Sequence, residues 1–237
     1  MKIASRAIAR ATDVEPLRRQ MLAEHAYERL KELILDRHIA PDSWMAVDVL
    51  AHDLGVSPTP VREALGRLEQ DGLIRKMENG RYRTEPLLTR ATFNELYEVR
   101  LQLEPFAAGS AAKHITGEEL ILLREVELSM HTAPTGNVYA QFAQFTTANA
   151  AFHDIIAKAA RNRFLYDAIC RLHSHHRLAQ LYLHHGIIDA EPALEEHAAI
   201  VDALTAHAAR SARDLMRGHI ERSRRQLQDL VAEEGMA

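Results

Sequence analysis

Imidazole and amide side chains lie at helical spacing within apolar stripes in the second half of the chain. In the segment QFAQFTTANAAFHDIIAKA, Asn149 and His153 fall one turn apart on a stripe that also carries Phe145, Phe152 and Ile156. A stripe of this period faces the interior of a helical protein. A buried imidazole or amide needs a hydrogen-bond partner or a metal ion there. The spacing therefore places two candidate ligands on the inner face of one helix.

Two later helices each carry one more inward-facing histidine. His197 lies on the stripe of Leu194 and Val201, and His219 follows Met216 on the inner face of the last helix. Neutral imidazole suits zinc, nickel and similar divalent ions. The residues alone leave two interpretations open, a shared metal site or separate core histidines that each bond to a carbonyl or an acid. The sequence does not show whether the three stripes converge.

The adjacent pairs His175–His176 and His184–His185 predict something else. Neighbouring residues on a helix point about 100° apart, so both members of a pair cannot face inward. We therefore predict that each pair belongs to a solvated face.

The first third of the chain contains the elements of a second kind of site. In residues 55–74, GVSPTPVREALGRLEQDGLI, one apolar stripe is formed by Val61, Ala64, Leu65 and Leu68. Arg62 and Arg67 point away from this stripe. Ser57 or Thr59 can cap the helix, and Pro60 suits its first turn, where a missing N–H costs nothing. A helix with Thr, Pro and Arg at its exposed start has the shape that enters a DNA major groove.

Flanking elements complete a winged helix-turn-helix. A short helix around Leu50 precedes the Gly55–Val56 turn, and a third amphipathic stretch lies between Ala26 and Ile34. Downstream, Asn79–Gly80 predicts the tight turn of a hairpin. This hairpin, the wing, carries residues suited to phosphates or a minor groove: Arg75, Lys76, Arg81 and Arg83. Ordinary small α+β domains contain similar elements, so the pattern alone leaves that alternative open.

Length and charge bound the remaining possibilities. The chain has 237 residues and a formal net charge of −4, which is long enough for two modest domains. Residues 1–85 contain 14 basic and 14 acidic residues, so any electropositive surface must be local. The single cysteine excludes an intramolecular disulfide framework and indicates a cytoplasmic protein. No apolar run approaches membrane-spanning length.

A change of pattern at Glu85–Pro86 predicts two domains. We expect a loose basic arm over residues 1–19, the winged helix-turn-helix over 20–85, a linker over 86–91 and an effector-binding and dimerisation domain over 92–237. Helices in the last part are expected over roughly 92–114, 117–131, 138–160, 162–185, 191–208 and 211–232. The predicted fold class is mainly α, with a C-terminal antiparallel all-helical bundle of six to seven helices.

Two sets of motifs resemble a known family. SPTPVREALGRLEQDGLI resembles the helix-turn-helix signature of GntR-type bacterial transcription regulators. The second half is similar to the FCD ligand-binding domain of the FadR branch, in the segments ELYEVRLQLEPFAAGSAA, NAAFHDII, EHAAIVDAL and GHI. The resemblance implies a homodimer that binds a palindromic operator on double-stranded DNA. It also implies a response to a small metabolite.

The resemblance assigns roles by position. The DNA contacts that it implies are Ser57, Thr59, Pro60, Arg62 and Arg67 on the recognition helix, with Gly80 and Arg81 at the wing tip. The ligands that it implies for a divalent metal are Asn149, His153, His197 and His219. Zinc is the first expectation, with nickel or manganese as alternatives. Arg100 matches an arginine near the effector cavity, where a guanidinium can bind a carboxylate through two hydrogen bonds. An ion pair with Glu104, four residues on, is the alternative for Arg100.

Three positions depart from the family pattern. Pro58 stands where members often carry arginine after the serine, and Asp48 replaces a frequent arginine at the start of the second helix. Two DNA contacts are thus missing or inverted, so the operator is expected to differ from those of relatives. Asn149 is neutral where many members have an acid. The loss of this charge should weaken the binding of a hard cation.

Together these features predict a metabolite-responsive DNA-binding regulator, a repressor, and no enzyme. Two other functions stay open. A metal-dependent hydrolase would activate water at an open metal position, but no acid on the inner stripe beside His153 presents itself as a base, and Asp154 faces elsewhere. An architectural DNA binder would use the helical bundle for dimerisation alone.

Overall fold

The computed structural model describes residues 4–172, 174–187 and 190–234. The chain divides into two compact units, Met1–Pro86 and Leu87–Ala237. Within the described ranges, no helix is both long and apolar enough to cross a lipid bilayer.

The first unit contains three helices and a small sheet. In chain order its elements are α1 (Ala4–Leu35), β1 (Trp44–Met45), α2 (Val47–Asp53), α3 (Pro58–Gln70), β2 (Ile74–Lys76) and β3 (Tyr82–Thr84). Strand β3 lies between β1 and β2, and both pairings are antiparallel. The arrangement confirms the predicted winged helix-turn-helix.

Two glycines make its turns possible. Gly55, between α2 and α3, has a φ of +66°, and the next residue, Val56, donates its N–H to the carbonyl of Ala51 at 3.0 Å. Gly80, at the tip of the wing, has a φ of +78°, and its N–H donates to the carbonyl of Met77 at 2.8 Å. Any residue with a Cβ would be strained at these angles.

Helices α1 and α3 pack through the stripes that the sequence indicated. The fully buried residues of the two helices include Ala26, Leu30, Val61, Ala64, Leu65 and Leu68. Burial of one such Leu or Val side chain contributes about 1.5–3 kcal/mol. The hydroxyl of Tyr27 also donates to the Asp71 carboxylate, which joins α1 to the residue that follows α3.

The N-terminal segment differs from the prediction. A loose arm was expected over residues 1–19, but α1 begins at Ala4 and continues through this segment. The expectation rested on charge, whereas alanine and arginine, frequent over residues 4–10, are strong helix formers. Helix propagation adds one hydrogen bond for each residue that it orders, so the amphipathic stretch after Gln20 extends backwards. Residues 1–3 lie outside the described ranges.

The second unit is helical throughout its described part. Its helices are α4 (Arg90–His114), α5 (Gly117–His131), α6 (Tyr139–Ala159), α7 (Arg163–Cys170), α8 (Ser174–Ala179), α9 (Ala190–Thr205) and α10 (Ala209–Glu234), with one 3-10 turn at Gln180–Tyr182. Capping boxes at Thr89–Thr92 and Thr116–Glu119 begin α4 and α5. Helix α10 packs along α4, and α6 packs on α5 and α4. The shared core includes Phe93, Tyr97, Leu123, Phe152, Ile200 and Ile220.

The helix predicted over 162–185 is interrupted. Helices α7 and α8 replace it, and the chain then leaves the helical path at His184 (φ +68°) and Gly186 (φ +75°). A close approach to the segment before α6 explains this exit, because a Cβ on Gly186 would lie 2.6 Å from the carbonyl oxygen of Thr135. Only glycine fits such a contact without displacement.

Leu65→Ala tests the packing of α3 on α1. Leu65 is fully buried, so its truncation should lower the free energy of unfolding of the first unit by about 2–5 kcal/mol. Urea denaturation followed by circular dichroism measures the loss. The control is Gln70→Ala at the exposed end of the same helix, which should change stability by less than about 0.5 kcal/mol. Equal stability of the two variants would contradict the packing.

Candidate metal centre and nucleic-acid interface

Three histidines from three helices converge inside the second unit. His153 of α6, His197 of α9 and His219 of α10 each offer one ring nitrogen, and these nitrogens lie within 4.8 Å of one another. The Nε2 atoms of His197 and His219 are 3.4 Å apart. All three residues are buried. The three inner stripes therefore meet at one point, as a divalent metal with histidine ligands requires.

A buried ion pair lies behind His153. Nε of Arg100 donates to Oε1 of Glu104 at 2.6 Å, and Nδ1 of His153 lies 2.8 Å from Oε2 of the same carboxylate. The Arg100 and Glu104 side chains are only 3% and 4% exposed. Burial alone would raise the pKa of Glu104, but Arg100 and His153 outweigh burial and hold this pKa well below its usual range. Glu104 is thus a carboxylate, and Nε2 of His153 remains available to a metal.

A second chain of the same kind lies behind His219. Nδ1 of His219 shares a hydrogen bond with Oε2 of Glu196 at 2.8 Å, and Nε of Arg222 donates to Oε1 of Glu196. Burial would raise the pKa of Glu196, but His219 and Arg222 lower it overall. A carboxylate in this position fixes the tautomer and orientation of a metal-binding imidazole. Two Arg–Glu–His chains therefore end at the histidine cluster.

Two histidines of the cluster, His197 and His219, are uncharged near neutral pH. Burial lowers the pKa of His219 to about 4, although Glu196 opposes the change. Burial, reinforced by His219 and His153, lowers the pKa of His197 well below its usual range. A neutral imidazole keeps the lone pair that a metal needs.

Three ring nitrogens of the cluster lack hydrogen bonds, which tests its fit to a metal. Nδ1 and Nε2 of His153 and Nδ1 of His197 are buried without a hydrogen-bond partner in the part of the chain that the structure describes, although Nδ1 of His153 lies against the Glu104 carboxylate. Buried polar atoms are nearly always paired. Together with the neutral rings of His197 and His219 and the carboxylates behind two of the three histidines, the unpaired Nε2 of His153 fits a divalent cation.

A small cavity lies beside the histidines. Its volume is about 50 Å³, and its walls include Arg100, Asn149, His153, His175, His219 and Arg222. The predicted ion pair of Arg100 with Glu104 is present. One further donor, Nη1 of Arg100, is buried without a hydrogen-bond partner among the described residues. The ion pair and a role in ligand binding are therefore compatible for this arginine.

Asn149 lines this cavity together with a histidine that the sequence interpretation missed. Nδ2 of Asn149 lies 3.3 Å from Nδ1 of His175, and the ring centres of His175 and His153 are 4.7 Å apart. The prediction of a solvated face is thus wrong for His175. The interruption between α7 and α8 is the cause, because it removes His175 from the register of one continuous helix. The side chain of His176 lies outside the described part of the structure.

Each acidic residue of the site lies on a different helix from the histidine that it contacts. Asp154, next to His153, is exposed, as predicted. Glu104 and Glu196 approach the rings instead, and both are paired with arginines. A carboxylate held in an ion pair with a low pKa is a weak general base. The only sequence signal for Glu196 is its place directly before His197.

Most of the predicted DNA-contacting residues are exposed on the first unit. Ser57, Thr59 and Arg62 are exposed at the start of α3, and Gly80 and Arg81 are exposed at the tip of the wing. Ser57 is the N-cap residue, but its side chain makes no capping hydrogen bond. These five residues therefore keep their polar groups or backbone accessible to a duplex.

The other two residues predicted to contact DNA, Pro60 and Arg67, differ from these five. Pro60 is buried because it falls one turn before Ala64 on the inner stripe, so its predicted direct contact with DNA is wrong. Arg67 donates to both carboxylate oxygens of Glu24, at 2.6 and 3.1 Å, and its guanidinium carbon lies 3.8 Å from the ring centre of Tyr27. This geometry places Arg67 at the junction of α1 and α3, but its side chain is 42% exposed, so the expected phosphate contact stays a prediction.

Two family models match the chain. Residues 22–82 match the bacterial regulatory proteins of the gntR family, and residues 95–222 match the FCD domain. The first range falls in the winged unit, and the second range falls in the helical unit.

Relatives and solved structures agree with these matches. The chain is 26% identical over 180 residues to the uncharacterized HTH-type transcriptional regulator YdhC of Bacillus subtilis, which covers 74% of this chain and 77% of the relative. An uncharacterized HTH-type transcriptional regulator from a ttuE–ttuC' intergenic region of Agrobacterium vitis is 31% identical over 139 residues, 57% of this chain and 78% of the relative. The structure of E. coli McbR/YncC has a TM-score of 0.65 and 21% identity, over 87% of this chain and 96% of that chain. At that identity the structural likeness shows a shared fold.

Substitution of His197 and His219 by alanine tests the metal centre. The double variant should lose most of its bound divalent metal, because two of three clustered nitrogens are removed. Elemental analysis of untagged protein, purified without a nickel column, measures the metal content. His114→Ala, an exposed histidine at the end of α4, is the control and should retain wild-type metal. Unchanged metal content in the double variant would end the assignment.

Proposed function

The chain belongs to the GntR family of bacterial regulatory proteins and carries an FCD domain, and from this membership we propose how its two units act. It is a DNA-binding transcription regulator and no enzyme. We propose that it is a metabolite-responsive repressor whose second unit binds a divalent metal and a small carboxylate. The buried histidine cluster, which lies beside a cavity that Arg100 also lines, carries this proposal.

The proposed DNA-reading surface combines the start of α3 with the wing. Ser57, Thr59 and Arg62 would meet the major groove, since the N-terminal residues of a recognition helix contact base edges there. Gly80 and Arg81 would meet phosphates or the minor groove. Their exposure in the first unit supports both contacts.

Zinc is the metal that we propose first, with nickel or manganese as alternatives. Imidazole nitrogens are typical ligands of zinc and nickel; His153, His197 and His219 would supply three, and the side-chain oxygen of Asn149 would be the fourth donor. The ion, when bound, would take an oxygen atom of a ligand as an added fifth donor and polarise it. Glu104 and Glu196 would hold two of the rings in place from behind.

The proposed effector is a small carboxylate. Nη1 of Arg100 is a buried charged donor without a partner in the described residues, and a carboxylate would satisfy it with a charge-assisted hydrogen bond. The cavity is small. Its volume is about 50 Å³, compared with about 30 Å³ for one water molecule in the liquid. Effector binding would act by favouring one of two pre-existing conformations that differ in affinity for the operator.

We further propose that the regulator works in the cytoplasm as a homodimer on a palindromic operator. Two winged units related by two-fold symmetry would read half-sites about one helical turn apart or a near multiple. Light scattering of the protein with and without duplex tests the dimer. A reporter gene behind the bound promoter distinguishes repression from activation.

Arg62→Ala tests the DNA-reading surface. Because Arg62 is exposed on α3, its truncation should leave folding intact and weaken binding to the preferred duplex by about tenfold or more, as for loss of one base contact. Fluorescence anisotropy with a labelled duplex measures the affinity. The control is Arg210→Ala, which makes the same change of charge on a side chain that is 96% exposed in the second unit. Equal affinity of both variants would exclude Arg62 from the interface.

A ligand screen tests the effector. In zinc-loaded protein, a carboxylate at 100 times its Kd should stabilise the second unit by about 2.7 kcal/mol and raise its melting temperature. The methyl ester of the same acid, which lacks the charge, is the control and should have little effect. Arg100→Lys should abolish most of the shift, since lysine lacks the planar fork. A protein that binds DNA but responds to no carboxylate would support a purely dimerising second unit.

A further inference from the structure

Trp44 is an exposed aromatic residue on the wing. It is the only tryptophan of the chain, and 45% of its surface is exposed, whereas its neighbour Met45 on β1 is 4% exposed. Successive residues of a strand face opposite sides of a sheet. Strand β1 therefore directs Met45 into the core and Trp44 onto the outer face of the wing.

Two arginines share that outer face. Trp44 is the register partner of Arg83 on β3, and Arg81 lies two residues before Arg83, so it points to the same side. The guanidinium carbons of Arg81 and Arg83 lie 4.3 and 5.2 Å from the Trp44 ring centre. Both distances fall within the range of cation–π contacts.

The other contacts of the wing arginines separate Arg81 from the rest. Arg83 donates to the carbonyl and to the carboxylate of Asp42, at 2.8 Å each, and Arg75 donates to the same carboxylate at 2.9 Å. Within the described ranges, the Arg81 side chain contacts the Trp44 ring and no carboxylate. No carboxylate among the described residues therefore offsets the positive charge of Arg81, whereas Asp42 partly offsets the charges of Arg75 and Arg83.

We propose that Trp44 is a positioning residue that holds Arg81 ready for the duplex. This inference rests on the proposed contact of Arg81 with DNA. An aromatic ring contacts the face of a guanidinium and leaves the N–H donors along its edge free. A carboxylate would occupy those donors and cancel the charge. Trp44 thus orders the side chain before binding, which lowers the entropy lost on association.

Binding measurements on four variants test the coupling. The probe is a duplex that the wild-type protein selects from a randomised pool, with affinity measured by anisotropy. Trp44→Leu removes the ring and should weaken binding about two- to five-fold for each wing that contacts the duplex. Trp44→Phe keeps an aromatic face and should restore most of the affinity. Arg81→Ala should weaken binding roughly tenfold, and the double variant W44L/R81A should bind like Arg81→Ala, because the ring acts through the arginine.

Tryptophan emission provides a readout that does not depend on DNA. Because Trp44 is the only tryptophan, the emission of the free protein reports on the guanidinium groups of Arg81 and Arg83 near its ring. Arg81→Ala should change this emission, and Arg62→Ala, which weakens DNA binding through another element, should leave it unchanged. Circular dichroism melting verifies that each variant is folded.

Three results would overturn the inference. They are wild-type affinity in Trp44→Leu, additive losses in the double variant, or unchanged emission in Arg81→Ala. If Trp44→Leu does not fold, the emission of Arg81→Ala and the affinity of Trp44→Phe still decide the question. Failure of the wild-type protein to select any duplex would reject the proposed function instead, while the emission experiment would still report on the stacking.

Discussion

Two Arg–Glu–His chains, one buried and one half-buried, are the interactions on which the second unit depends. Charges in a protein interior cost several kcal/mol each unless a partner offsets their desolvation. Arg100 and Glu104 satisfy this requirement for each other. The second carboxylate oxygen of Glu104, Oε2, lies against Nδ1 of His153. Glu196 stands in the same relation to His219. The rings of His153 and His219 are therefore held in orientation, and a cluster of imidazoles becomes a possible ligand set for a cation.

Four helices and one interruption of helical order bring the residues of this site together. Helices α6, α9 and α10 bring the three ligating rings to the interior, while α4 brings the first ion pair. The break between α7 and α8 adds His175, whose contact with Asn149 lies on the cavity wall. An amide at this position carries no charge, and the two arginines that line the cavity, Arg100 and Arg222, are each paired with a glutamate.

The first unit binds nucleic acid without a large positive field. Basic and acidic residues balance over residues 1–85, and several cations are already paired within the unit, including Arg67, Arg75 and Arg83. Exposed donors at α3 and at the wing tip therefore have to be placed by geometry. Gly55 and Gly80 supply the backbone geometry of the turns, and Trp44 holds the side chain of Arg81 in place.

The sequence by itself determined most of the helices, the wing and the inward positions of Asn149, His153, His197 and His219, because helical and strand periods are local properties of a chain. Only the tertiary structure decided that these stripes converge, that Arg67 belongs to Glu24 and that His175 reaches the cavity. It also decided that Pro60 is covered by the core. Such contacts join residues that are distant in sequence, and their formation depends on how whole helices pack, which no local pattern encodes.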